Sequence, residues 1–282
     1  MLFLRYFLQN LTTMKYLIIC LSVLVILLPS CKTDSKSNEN TKETTKNANE
    51  SQKTQSLTEY TLTPFNISEA YPDAQLSDMK YKNGKFDFTV TSDTYKLGVQ
   101  TPDAPSKMCA NSGKGQHIHL IVDNSPYAAK YESSFDYDVE DGNHTILAFL
   151  SRSYHESIKT SSAHILQNVE VKDKAIVSTS PVTKPMVTYS RPKGTYIGDD
   201  TKKVMLDFYL SNVDLAAGYT VEANINGEAH MLNKWQPYYI EGLPMGENKI
   251  TLTLMKGGSA VDTPLNPVTR KFTLKADPDP TN

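Results

Sequence analysis

His117 and His119 stand one residue apart in Gln116-His117-Ile118-His119-Leu120-Ile121-Val122, a run with the residue pattern of a β-strand. Alternate residues of a strand share a face, so the two imidazoles point the same way. Neutral imidazoles in such a pair are ligands for zinc or copper. His144, at the start of a later apolar run, is the candidate third ligand, and Met108 and Cys109 offer soft donors just upstream. Phase argues against a buried centre: if Ile118, Leu120 and Val122 face a core, His117 and His119 face away from it. The plain alternative is a pair of exposed or hydrogen-bonded histidines on the outer face of a sheet.

A second group carries positive charge. Arg152, Tyr154, His155 and Lys159 follow the apolar run 144–150, while Arg191 and Lys193 lie in a passage between two strand-rich halves. Guanidinium forks match carboxylate and phosphate, so these six residues could cradle a phosphorylated or acidic ligand; ordinary solvated loop charges are the alternative. Lys130-Tyr131 and Lys234-Trp235 recur at equivalent places and read as packing pairs, the ring capping a sandwich and the amine reaching water. Cys109 with His117 or His119 has the formal makings of a nucleophile, but no third residue is placed to orient it, and an inert buried thiol is expected. No G-x-S-x-G, H-E-x-x-H, P-loop or dinucleotide fingerprint is present. The expectation is a non-enzymatic binding protein with no cofactor beyond the zinc or copper that the histidines could hold. A purely structural module is the remaining alternative.

The elements that must position these residues are strands. Short alternating runs broken by turn residues begin near Pro64: Phe86-Asp87-Phe88-Thr89-Val90, then 116–122, then 144–150 after the turn Asp141-Gly142-Asn143, then 167–171. In the second half Val204, Leu206, Phe208 and Leu210 alternate with polar or larger partners. Val221-Glu222-Ala223-Asn224-Ile225 runs into Asn226-Gly227, a strong hairpin signal, and Ile250, Leu252 and Leu254 share one face. The halves repeat at an offset of 104 residues: Phe135 meets Tyr239, Gly142 meets Gly246, and Ile146, Ala148 and Leu150 meet Ile250, Leu252 and Leu254. A one-residue gap brings Ile118, Leu120 and Val122 onto Val221, Ala223 and Ile225. Glu222 and Asn248 then stand where the first copy has His119 and His144. The fold class expected is all-β, with two tandem Ig-like or fibronectin-III-like sandwiches over residues 61–180 and 181–276.

Ahead of them, Met14-Lys15-Tyr16, an apolar run over 17–28 and Leu28-Pro29-Ser30-Cys31 have the form of a secretory signal ending in a lipobox. Residues 1–30 are expected to be removed, with translation starting at Met1 or Met14, and Cys31 to carry acyl chains that hold the protein to a membrane. The tract 31–60 is rich in Lys, Thr, Ser, Asn and Glu and reads as a disordered tether, with 277–282 as a short tail. Cys20 leaves with the signal, so Cys109 has no disulfide partner. A net charge of −2 gives no basic surplus for nucleic acid. The partners expected are a membrane and a protein, peptide or glycan ligand in the cell envelope, periplasmic or surface-exposed.

The segments Lys107-Met108-Cys109-Ala110-Asn111-Ser112-Gly113-Lys114-Gly115-Gln116-His117-Ile118-His119, Leu150-Ser151-Arg152-Ser153-Tyr154-His155-Glu156-Ser157 and Tyr189-Ser190-Arg191-Pro192-Lys193-Gly194 resemble a family of Bacteroidetes cell-envelope lipoproteins often labelled "phosphopeptide-binding protein". The resemblance covers most of residues 60–275 and implies an outer-membrane or envelope location and an acidic or phosphorylated peptide ligand.

Overall fold

The computed structural model describes residues 59–278. The expected signal segment, Cys31 and its lipid, the tether through residue 58 and residues 279–282 lie outside the described residues. No helix among the described residues is long and apolar enough to cross a membrane.

The chain is all-β, arranged as two Ig-like sandwiches. In the first, Gln75–Lys82, Lys85–Thr91 and Ser134–Asp136 form one sheet. Its mate runs Ala128–Lys130, His117–Val122, Gly142–Ser151, His164–Lys172 and Ala175–Pro181 from edge to edge. Ile118, Leu120, Ile146, Ala148, Leu150, Val169 and Val171 point inward against Leu76, Phe86 and Phe88. Each of the Leu, Ile, Val and Phe side chains contributes about 1.5–3 kcal/mol on burial, which locks the register that sets the facing of the intervening residues.

In the second sandwich the larger sheet runs Gly194–Ile197, Val268–Lys275, Gly246–Lys256, Tyr219–Ile225 and Glu228–Leu232, with Ser259–Ala260 paired to the long strand. Four of its strands follow the order of their counterparts in the first sandwich, so the 104-residue repeat is also a repeat of topology. Asn226 and Gly227 take the positive φ that the hairpin requires. The smaller sheet holds Met186–Arg191, Lys203–Ser211, Tyr238–Glu241 and Thr61–Pro64.

Two details differ from the sequence reading. Thr61–Pro64, expected to open the first sandwich, instead forms the edge of the second sandwich's smaller sheet, pairing antiparallel with Tyr238–Glu241. The strand at 167–171 does not close the first sandwich: Ala175–Pro181 adds to its edge through a tight turn at Asp173 and Lys174, both with positive φ.

The outer face of the first sandwich's larger sheet is covered. Ile121, Tyr127, Leu147 and Phe149 pack there with Tyr209 of the second sandwich, flanked by Trp235. Phe149 stacks on Tyr209 at 5.3 Å, and Trp235 meets Tyr209 edge-on at 4.9 Å. Asn124 ties the two backbones, its amide donating to the Val187 carbonyl at 3.1 Å while its carbonyl accepts from Tyr189 N–H at 2.9 Å. Trp235 caps this junction and donates from Nε1 to Phe208 O, a packing role as its pairing with Lys234 suggested.

Candidate metal centre

His117 and His119 lie on the covered face, and neither has exposed surface. Strand phase does turn both away from the core, but that outer face is closed by the second sandwich and by the turn after Ser151. That turn carries His155, whose φ of +70° holds an imidazole in the left-handed region. Such a conformation costs about 1–3 kcal/mol in a residue with a Cβ and persists where its surroundings enforce it. Here the backbone bonds Arg152 N–H to Glu156 O at 2.9 Å and His155 N–H to Arg152 O at 2.8 Å enforce it.

The three imidazoles converge. His117 Nε2 lies 2.9 Å from His119 Nε2 and 3.0 Å from His155 Nδ1, and all three nitrogens fall within 4.8 Å of one another. His117 Nδ1–H donates to the Gly115 carbonyl at 2.8 Å, so Nε2 holds a lone pair in the neutral ring. His119 turns its Nδ1 to Ser190 Oγ at 3.4 Å. His155 Nδ1 can accept from the Tyr127 hydroxyl at 3.3 Å, leaving Nε2–H for its partly exposed edge. Each ring thus has an outer hydrogen bond or solvent for one nitrogen and turns the other toward the centre, where His155 Nδ1 is shared with the Tyr127 hydroxyl. Metal-binding histidines are oriented in this way.

Aromatic rings wall the cluster. Tyr127 stacks on His119 at 3.7 Å with 8° between planes, Phe149 lies 4.9 Å from the same ring, and Tyr131 sits 5.0 Å from His117. Burial pushes His117 down to about 4, against the pull of its Gly115 bond, with the Arg191 and Lys193 charges adding to the depression. Burial, the neighbouring imidazoles and the same two cations hold His119 and His155 well below the usual histidine value. All three are neutral at pH 7, the form that binds metal.

His144 is not part of the cluster, which corrects its assignment as third ligand. Its Nδ1 bonds to Asp123 at 2.6 Å and its Nε2 to Glu140 O at 2.9 Å, while Asp123 also accepts from Thr145 N–H at 2.8 Å. The second copy repeats the clasp with amides: Asn226 donates to Asn248, Asn248 donates to Pro244 O, and Asn226 accepts from Lys249 N–H. His144 therefore pins a turn. Burial opposes its charged form, but Asp123 and the Glu140 carbonyl outweigh burial and raise it above the usual value.

The proposed anion cradle is divided. Arg152 donates to Glu69 O and pairs with Glu156, Tyr154 is fully buried with its hydroxyl on Asp103, and Lys159 is bound to Asp207 at 2.7 Å. These three are occupied in holding loops together, so they are not free for a ligand. Only His155, Arg191 and Lys193 remain around the histidines. Arg191 donates to Tyr196 Oη, and Lys193 donates to Tyr127 O at 2.6 Å while lying 3.9 Å over that ring. Cys109 packs against Ala104, Tyr154 and Tyr239, and burial pushes its thiol up to about 11, as befits an inert thiol. Met108 points to solvent.

Gly115 is the backbone key to His117. Its φ is +84°, and an added Cβ would sit 2.6 Å from the Gly98 backbone and 2.7 Å from that of Val99. Gly115→Ala is expected to cost about 2–4 kcal/mol and to shift the carbonyl that orients His117. Urea unfolding checks this, and a cost below 1 kcal/mol contradicts it.

No family model matches the chain, and no curated protein matches it. Among solved structures, fibronectin(III)-like modules of Clostridium thermocellum CbhA align at 14% identity over 77% of this chain and 95% of that one, with a TM-score of 0.26. The extracellular domain of a putative hybrid two-component system from B. thetaiotaomicron aligns at 11% identity over 75% of this chain and 46% of that one, with a TM-score of 0.27. The two tandem V-type regions of the chitin-binding protein VCBP3 align at 9% identity over 77% and 99%, with a TM-score of 0.21.

Proposed function

We propose that this protein is a transition-metal-binding protein of the cell envelope, holding one ion on His117, His119 and His155. The observation that carries the reading is the convergence of three neutral imidazole nitrogens, two pairs of them 2.9 and 3.0 Å apart, each ring oriented from outside or by solvent. Metal-free rings leave the single lone pair of His117 Nε2 facing two other nitrogens; an ion takes one lone pair from each. The cationic Arg191 and Lys193 oppose any divalent ion, so affinity rests on the imidazoles themselves. A signal ending at Cys31 supports an envelope location, with lipid on that residue and a membrane as partner. The phosphopeptide reading of the resembling family loses Arg152, Tyr154 and Lys159 and has the weaker support. No nucleophile with an orienting base has been assembled around Cys109, which favours binding over catalysis.

Metal content and competition titrations with zinc and copper test this on the purified protein and on His155→Asn. Asparagine tolerates the left-handed backbone, so the turn survives while a ligand is lost. One metal per chain is expected, with affinity falling at least about 100-fold in the variant, consistent with loss of one of three ligands. Failure of the protein to bind metal, or equal affinity in the variant, rules the reading out.

A further inference from the structure

The strand Lys203–Ser211 sends alternate side chains to the two faces of its sheet. Val204, Leu206, Phe208 and Leu210 enter the core of the second sandwich, so Asp207, Tyr209 and Ser211 share the face turned to the first. Asp207 is satisfied there, by Lys159 Nζ and Ser157 N–H. Its two successors on that face are not. Tyr209 and Ser211 are 1% and 6% exposed, and among the described residues neither hydroxyl has a hydrogen-bond partner. Buried hydroxyls are normally paired because an unpaired one loses its bonds to water and gains none in return. Two in succession mark a place where a bound molecule supplies the partners. Both line a cleft of about 600 Å³ between the sandwiches, with Ser161, His164 and Leu166 of the first on its other side. That volume falls within the range of small-molecule sites, about 300–1,000 Å³. None of His117, His119 and His155 lines it.

We infer that this cleft is a second binding site, for a neutral saccharide unit whose ring packs on its aromatic side chains and whose hydroxyls bond to Tyr209 and Ser211. Three rings line it together: His164 lies 4.9 Å from Tyr209 at 45°, and Trp235 meets Tyr209 edge-on at 4.9 Å. Trp235 is half-buried, and its N–H is spent on Phe208 O, so the indole offers a ligand its apolar ring surface. The charges in the lining are already engaged. Lys159 is bound to Asp207 at 2.7 Å, and Asp214 accepts from Ala216 N–H at 2.9 Å. A phosphate or carboxylate entering here would lose hydration without gaining a free counter-charge. A purely apolar ligand would leave the Tyr209 and Ser211 hydroxyls unpaired. Sugar hydroxyls, which both donate and accept, meet that demand without bringing charge, and the C–H surface of the sugar ring suits the aromatic lining.

Trp235 is the single tryptophan of the chain, so its fluorescence reports on this cleft. The purified protein, with a chelator present so that metal plays no part, is titrated with cellobiose, maltose, lactose and N,N′-diacetylchitobiose. At least one of them is expected to change the Trp235 emission saturably, with a Kd of about 1 mM or below. Ser211→Ala is expected to weaken that binding about 5- to 10-fold. The same change should leave the urea midpoint of the free protein unchanged or higher, since nothing in the fold bonds to that oxygen. Ser161→Arg, a change at an exposed position that puts a long side chain into the cleft, is expected to abolish the response. No saturable response to any of the four sugars overturns the inference, as does equal affinity in Ser211→Ala. Tighter binding of glucose 6-phosphate or of indole than of every neutral sugar overturns the assignment of the ligand class.

Discussion

Asp207→Ala is expected to destabilise the protein by about 3–5 kcal/mol, the loss typical when one member of a buried ion pair is removed and the other is left without a partner. Asp207 has no exposed surface; it accepts from Lys159 Nζ at 2.7 Å and from Ser157 N–H at 3.1 Å. It sits on Lys203–Ser211 of the second sandwich, and both donors belong to the turn of the first that carries His155. One carboxylate therefore holds a turn to a neighbouring sheet. For a body of this size the change corresponds to a fall in Tm of about 10 °C or more. Asp207→Asn keeps the shape and the Ser157 bond but leaves the Lys159 charge unmatched, and its loss should be intermediate. Metal affinity should fall in both variants, because His155 is only two residues from Ser157. A denaturation midpoint for Asp207→Ala within 1 kcal/mol of the parent would falsify this account of the junction.

The second large effect is on acid stability without metal. His117 is held at about 4 in the fold, and His119 and His155 well below the usual histidine value. In the unfolded chain all three take up protons near pH 6.5. Between about pH 6.5 and 4 the unfolded state binds more protons, so stability is fully present above 6.5 and is lost as the pH falls through that window. At about 1.4 kcal/mol per pH unit, His117 alone makes the fold about 3 kcal/mol less stable at pH 4 than at pH 7. His144, raised by Asp123, acts in the opposite sense and offsets a small part. Urea midpoints taken from pH 7.5 to 5, above the range in which carboxylates dominate, should fall steadily. The double variant His117→Gln, His119→Gln should flatten that slope, and an unchanged slope would mean that the buried histidines are not its source.

Much of this architecture was legible in the residues. Alternation in Phe86-Asp87-Phe88 and in 221–225, with Asn226-Gly227 behind it, marks strands and a hairpin because side-chain facing has a period of two. The shared side of His117 and His119 follows from the same rule. What period cannot supply is the identity of the matter on the far side of a sheet. The residues closing that face, Ser190 and Tyr209, come from about 70 and 90 positions downstream. His155 gives no periodic signal, since it sits in a turn and reaches the site through one left-handed residue; the sequence places it only among the polar and cationic residues that follow the run 144–150. The repeat held a clue about His144. Its counterpart is Asn248, and an amide can replace a hydrogen-bonding imidazole in a turn clasp but not an imidazole on a metal.

Thr61–Pro64 pairs with Tyr238–Glu241, so the chain leaves the second sandwich, builds the whole of the first, and returns. In covalent terms the first sandwich is an insertion, joined to its host at two places: ahead of Gln75 and after Pro181. Two modules on a single linker can swing about it, whereas a module fastened at both ends loses that rotation and the entropy that goes with it. The junction that brings Ser190 and Tyr209 up to the outer face of the His117–Val122 sheet is therefore closed by connectivity as well as by packing. Cutting either connection alone would return the modules to a single linker and leave their register to the packing across the junction.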